Sequence, residues 1–97
     1  MPTKHHKFQI IEKEKISELI FLEKEVLKTI DDFSKRKSEI HMAMLLGNKY
    51  KGKVKIIFED SEGTKQVETT VWGVTDKYVL LKKGLMLPIH RILEIKI

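Results

Sequence analysis

The residue types that support catalysis are sparse in this chain, and they are not arranged as catalysis requires. Acidic pairs such as Glu59 and Asp60 are adjacent in sequence, which places them poorly for work as an acid and a base on one substrate. The histidines, none of which falls in a His-Glu-x-x-His or nucleophile motif, are His5, His6, His41 and His90. The chain has no cysteine and therefore no thiol nucleophile. We expect no enzymatic activity and no small-molecule cofactor.

Nucleic-acid binding is the chemistry that the spacing of the basic residues favours. Lysine occupies every second position at the start of the segment KYKGKVKIIFED, residues 49–60. On a β-strand these side chains would form a row with a spacing of about 6.6–6.8 Å, along which a phosphate backbone could bind. The row consists of Lys49, Lys51, Lys53 and Lys55. The alternative is that they are ordinary outer-face lysines, which discourage pairing between sheet edges.

Three further residues complete the predicted nucleic-acid-binding set. Tyr50 lies within the lysine row, where its ring could stack on a base, and Arg91 could supply a cationic clamp. His90 stands beside Arg91 in a predicted turn and is a candidate surface contact. Trp72 is the only tryptophan. A lone tryptophan in a thin core ordinarily packs, and the pattern leaves open whether Trp72 lies in the core or on the surface.

The basic charge is concentrated in the second half of the chain. Residues 1–48 hold nine Lys/Arg against eight Asp/Glu, and residues 49–97 hold ten against six, which gives +1 and +4 of the total of +5. This excess favours RNA or another polyanion as a partner. Lysine-rich surfaces also serve solubility alone.

The first half has the apolar spacing of a helix. At about 100° per residue, the apolar residues from Ile11 to Leu46, apart from Phe21 and Leu46, fall on one stripe about 160° wide. We predict a flexible N-terminus over residues 1–10 and a helical segment over 11–47, either one long helix or a hairpin of two helices. Gly47 is expected to end it. A stripe this wide is expected to be covered by a sheet or by a second copy of the chain.

The second half has the period of β-strands. Charged and apolar residues alternate after Asn48, and glycines punctuate the pattern at positions suited to turns and bends. We predict four or five short antiparallel strands over residues 48–97, which would curl into a barrel to remove exposed edges. The predicted fold is α+β, a single domain with an N-terminal long helix or helical hairpin followed by a small SH3-like or Sm-like barrel.

The order of a helix, KVKIIFED, VETTVWGVTD, YVLLKKG and LPIHRILEI resembles the Sm-like fold of bacterial RNA chaperones and eukaryotic Sm proteins. The points of likeness are Gly73, Asp76 and the apolar third and last strands, over residues 52–97. This resemblance implies a small barrel. Sm proteins carry an asparagine shortly after the aspartate and Arg-Gly near the last turn, which this chain lacks, so their RNA-binding residues do not carry over. The chain also looks like small uncharacterised bacterial proteins that join a helix to such a barrel, which implies no activity.

Together these features predict a non-catalytic binding module that binds single-stranded nucleic acid through a basic strand face. The alternative is a homo-oligomeric or protein-interaction module that self-associates through the helical stripe and has no nucleic-acid role. No stretch of the sequence approaches the roughly 18 apolar residues of a membrane-spanning helix, so we expect no membrane partner. We expect a cytoplasmic location.

Overall fold

The structure is a computed structural model that describes residues 8–97. Residues 1–7, with His5, His6 and most of the predicted flexible N-terminus, lie outside the described residues. The strands within residues 8–97 are β1 (Gln9–Ile11), β2 (Val54–Asp60), β3 (Gly63–Thr69), β4 (Val71–Val74), β5 (Tyr78–Leu81), β6 (Met86–Pro88) and β7 (Ile92–Lys96). The helix α1 spans Ile30–Tyr50, and short 3-10 turns form at Lys13–Glu18, Lys82–Gly84 and Ile89–Arg91.

The prediction of a helix over residues 11–47 is wrong for its first half. There the chain forms β1, a 3-10 turn and an irregular segment, residues 19–29, which we call the strap. The helix begins after Thr29, whose side-chain oxygen accepts a hydrogen bond from the Asp32 N–H at 3.1 Å. Ile16 is buried on the sheet and Leu19 and Phe21 pack against the same core. These residues have the spacing of one face of a helix because they pack on the sheet. The spacing alone does not distinguish the two arrangements.

The predicted end of the helix is also displaced. Gly47 lies inside α1, and the helix ends at Lys51, which adopts left-handed backbone geometry with φ of 55°. The N–H groups of Lys51 and Gly52 donate to the carbonyls of Gly47 and Leu46 at 3.0 and 3.3 Å. Gly47 has a different role, because a Cβ there would overlap the carbonyl oxygen of Val71. It allows α1 to lie directly on β4.

The predicted barrel is wrong, since the strands form two open sheets. One has the order β1-β3-β2-β7 and the other β4-β5-β6. The β1–β3 pair is parallel and the other pairs are antiparallel. The sheets are not closed on each other because other elements cover part of their edges: α1 packs against β4 and β7, and the Glu39 carboxylate accepts a hydrogen bond from the Ile95 N–H at 2.9 Å.

The predicted alternation in β2 is confirmed from Val54 to Ile56 but is wrong at Ile57, which is as buried as its neighbours. Val54, Ile56 and Phe58 are buried, while Lys55 is exposed. The strap contributes Phe21, whose ring centre lies 6.0 Å from that of Phe58. The fully buried side chains of the core come from every strand from β2 to β7. One core thus joins both sheets, the helix and the N-terminal segment.

A buried ion pair holds the β2–β3 hairpin. The Lys65 Nζ lies 2.9 Å from both carboxylate oxygens of Asp60, and both side chains are less than a tenth exposed. The N–H groups of Glu62 and Gly63 donate to the same carboxylate. Burial alone would raise the pKa of Asp60, but the Lys65 ammonium and these two N–H groups outweigh it and hold that pKa below its ordinary value.

This pair predicts a specific pH dependence of stability. Because the pKa of Asp60 is lower in the folded chain, the pair stabilises the fold above the unfolded-state value of about 4, and this stabilisation is lost as pH falls through the lower folded-state value. Asp60→Asn leaves Lys65 buried and unpaired, so we expect a loss of about 3–5 kcal/mol at pH 7 and a smaller loss at pH 3. Urea unfolding at both pH values measures this. Asp76→Asn, at an exposed site, is the control, and an equal Asp60→Asn loss at both pH values would contradict the interpretation.

The contact at Gly47 gives a second stability prediction. Gly47→Ala forces α1 away from the Val71 carbonyl, and we expect a loss of about 1–3 kcal/mol in the free energy of unfolding. Gly73→Ala is the matched control, because a Cβ there meets only the Leu80 side chain at 3.5 Å, an ordinary contact distance. Chemical unfolding of both variants makes the comparison. Equal stability of the two variants would show that α1 does not depend on this close approach.

Candidate nucleic-acid interface

The predicted row of lysines is not formed as a strand face. Lys49 lies in the last turn of α1, Lys51 ends the helix, Lys53 precedes β2 and only Lys55 lies in that strand. All four are exposed. The row is lost because the helix continues three residues past Gly47. Tyr50 is also exposed, and its ring centre lies 5.8 Å from the Lys49 Nζ, within the range of a cation–π contact.

Arg91 is a structural residue in this fold. It is buried, and its guanidinium donates to the carbonyls of Glu59 and Lys24 at 3.2 and 2.6 Å. One of its nitrogens also lies 3.6 Å from the Glu59 carboxylate. Its charge and donors are therefore used within the chain. Arg91 joins the strap to β2 and does not present a clamp to a ligand.

His90 has a similar role. Its Nε2 lies 3.0 Å from the carbonyl oxygen of Leu22, and its backbone carbonyl accepts a hydrogen bond from the Val26 N–H at 3.0 Å. The ring is half-buried. His90, the predicted surface contact, thus makes a second set of contacts that hold the strap, from the 3-10 turn that precedes β7.

Arg36 makes a third set of contacts that hold the strap. Its two terminal nitrogens each lie 2.7 Å from a carboxylate oxygen of Glu25, and one also donates to the Ile92 carbonyl at 3.0 Å. Burial would raise the pKa of Glu25, but the Arg36 guanidinium and the Leu27 N–H outweigh it and lower that pKa. Sequence reasoning missed this residue, because an arginine at one helical position carries no sign of a partner eleven residues earlier.

The structure answers the question about Trp72 and places it on the surface. Trp72 is 52% exposed and lies in β4, where the pairing with β5 shifts register between Val71 and Gly73. Val71 is fully buried, so the next side chain along the strand points outward. The indole lines a groove of about 430 Å³ between the end of α1 and the β5–β6 turn. Its described lining residues are Gly47, Asn48, Lys51, Thr70, Trp72 and Lys82.

Two lysines reach this groove from different parts of the chain. Lys51 lies at the C-terminal end of α1. Lys82 lies in the turn between β5 and β6, where its N–H donates to the Thr70 carbonyl at 3.0 Å. Among the described residues that line the groove there is no carboxylate. We call this surface the Trp72 groove. Neither lysine has an ion-pair partner within residues 8–97. An aromatic face beside two such cations can stack a planar ring and attract an anion at the same place.

Two residues with strained backbone geometry lie in or next to the Trp72 groove. Lys51 and Lys83, with φ of 55° and 70°, are the non-glycine residues with positive φ within residues 8–97. Such geometry costs a residue with a Cβ about 1–2 kcal/mol and is ordinarily occupied by glycine or asparagine. Lys51 lines the groove and Lys83 follows a lysine that does. Of the residues that form the groove, the sequence singled out Lys51 and Trp72 but not Lys82, whose proximity arises only from tertiary contacts.

Comparisons with protein-family models, with curated proteins and with solved structures find no match for this chain. Across residues 8–97, no cluster of three or more His, Asp or Glu side chains is arranged to hold a metal ion. In the same part of the chain, no helix has the length and apolar character needed to cross a membrane.

Proposed function

We propose that this protein binds single-stranded nucleic acid at the Trp72 groove without catalysing a reaction on it. The observation that carries the proposal is an exposed indole in a groove that it shares with Lys51 and Lys82. An unpaired base can stack on the indole, whereas a base inside a duplex cannot reach it. Stacking of this kind is worth about 1–3 kcal/mol per base and tolerates any base, because every base has a π-face.

The lysines supply the second part of the binding energy. Lys51 and Lys82 have no ion-pair partner in the described chain, so their charges are available to the phosphates next to a stacked base. Lys49, Lys53 and Lys55 add positive charge near the end of α1 and the start of β2 and can attract the rest of the strand. The expected ligand is RNA or single-stranded DNA, bound with little sequence preference. A cytoplasmic location is part of the same proposal.

Trp72 provides a direct test, since it is the only tryptophan in the chain. We expect single-stranded oligonucleotides to quench its fluorescence at low salt and duplex DNA of the same sequence to quench it much less. Anisotropy of a labelled oligonucleotide should show that Trp72→Ala weakens binding about 5- to 150-fold, the equivalent of one base stack. Lys51→Ala and Lys82→Ala should each reduce the salt slope of log K by about 0.7.

Control variants test whether binding depends on the groove itself or only on positive charge and exposed apolar area elsewhere on the surface. Lys35→Ala removes an exposed helix lysine outside the groove, and Met86→Ala removes an apolar side chain as exposed as Trp72. Both should leave affinity nearly unchanged. Lys51→Gly should weaken binding while the free energy of unfolding stays equal or rises by up to about 1 kcal/mol, because it relieves the left-handed strain. Unchanged affinity in Trp72→Ala would overturn the proposed site.

A second candidate function is self-association through α1. Met42 and Leu45 are about half exposed on the face of the helix that points away from the sheets. They lie next to Ser38 and His41 on that face. Exposed apolar side chains on one face of a helix suit a second copy of the same face related by a two-fold axis. The predicted stripe over residues 11–29 is not part of this surface, because that segment is not helical.

Sedimentation velocity at several protein concentrations tests this candidate. If α1 mediates self-association, the wild-type chain sediments as a concentration-dependent dimer, and Met42→Glu combined with Leu45→Glu makes it a monomer. Met86→Glu introduces the same charge at a similarly exposed apolar site on β6 and should leave the dimer intact. A wild-type chain that stays monomeric at every concentration would exclude this candidate.

A further inference from the structure

We propose that the bound strand continues from the Trp72 groove along one flank of α1 to a second base site at Phe33. This inference rests on the proposed function and adds the path and length of its ligand. The second site is formed by two adjoining cavities of about 430 and 300 Å³, which share Arg36, Asp76 and Ile89. They lie between the first half of α1 and the turn from β4 to β5.

The second site combines an apolar floor with aromatic walls. Ile40, Val74 and Ile89 line the first cavity together with Phe33, and Tyr78 lines the second. Both rings are 38% exposed. The Arg36 guanidinium lies 5.6 Å from the centre of the Phe33 ring and is itself held by Glu25, so the ring rests against a fixed partner. A ring held in this way can stack a base with little further loss of freedom.

The two sites lie on the same flank of the helix. At about 100° per residue, Phe33, Lys37 and Ile40 fall within about 60° of one another. Gly47 and Asn48, which line the Trp72 groove, fall about 20° outside either edge of the same sector. On the sheet side, one site meets the beginning of β4 and the other meets its end. The strand would therefore follow the line where α1 rests on β4. From Lys37 to Asn48 this path rises about 16 Å along the helix axis.

The charges along the path fit a phosphate backbone. Lys37 lines the first cavity and Lys77 the second, and neither makes an ion pair within residues 8–97. Arg36 and Glu25 neutralise each other. The Asp76 carboxylate opposes phosphate at this site, so the phosphates belong at the two lysines and the base at the aromatic walls. A path of about 16 Å takes about five nucleotides at the 3.4 Å spacing of a stacked strand, and fewer if the strand is extended.

The test is a length series of labelled oligothymidylates, from two to ten nucleotides, measured by anisotropy at fixed low salt. A longer probe binds somewhat better simply because it can bind in more positions. Beyond this effect, we expect the wild-type affinity to rise roughly tenfold between three and six nucleotides. Phe33→Ala should remove this step and leave the affinity for three nucleotides unchanged. Trp72→Ala should weaken binding at every length.

A charge-matched pair keeps the test independent of how well Phe33→Ala folds. Lys37→Glu should weaken the eight-nucleotide probe several-fold more than the three-nucleotide probe. Lys35→Glu makes the same charge change on the opposite side of α1 and should affect both probes equally. Binding of three nucleotides without a later step, or a step that survives Phe33→Ala and Lys37→Glu, would overturn the second site and leave the Trp72 groove intact. Absence of binding at every length would overturn both proposals.

Discussion

The contact that the rest of this structure depends on is the one between Gly47 and the carbonyl of Val71. No side chain separates α1 from β4 at this point, since a Cβ would overlap the carbonyl oxygen. The helix therefore lies along β4 at a distance that larger residues do not permit. Both candidate base sites border this line, with Trp72 at one end and Val74 at the other. A contact that involves no side chain of Gly47 thus determines where the proposed binding surface forms.

The strap shows how polar residues can serve stability at positions that look functional. Arg36, His90 and Arg91 use their side chains to bind Glu25, Leu22 and Lys24, three residues within a short irregular segment. An irregular segment leaves carbonyls without helical partners, so side chains can bond to them. The long side chain of Arg91 reaches the Lys24 carbonyl, and that of Arg36 reaches the Glu25 carboxylate. The strap in turn covers the core through Leu19 and Phe21, which explains why these ties stabilise the fold.

Local patterns predicted what depends on local geometry. The inward face of β2 and the turns at Gly63 and Gly84, with φ of 144° and 79°, follow from a period of two and from glycine's conformational freedom. The helix boundary did not follow, because Ile16 and Leu19 have helical spacing while they pack on a sheet. The groove could not follow either. Lys51 and Lys82 meet only after Gly47 rests on Val71 and the Lys82 N–H binds the Thr70 carbonyl, and neither contact has a sequence pattern.

Several residues whose backbone geometry or exposure reduces stability lie close together in this chain. Lys51 occupies a left-handed position that glycine or asparagine would occupy with less strain, and Lys83 does the same one residue after Lys82. Trp72 exposes half of a side chain that usually contributes to a core. Each departure costs on the order of 1 kcal/mol, in a fold whose total stability is about 5–15 kcal/mol. Sequences agree with local rules in most places and break them where a site requires it. Lys51 and Trp72 line one groove, and Lys83 follows Lys82, which lines it too. The proposed ligand binding at that groove would give the strain and the exposed indole a common explanation.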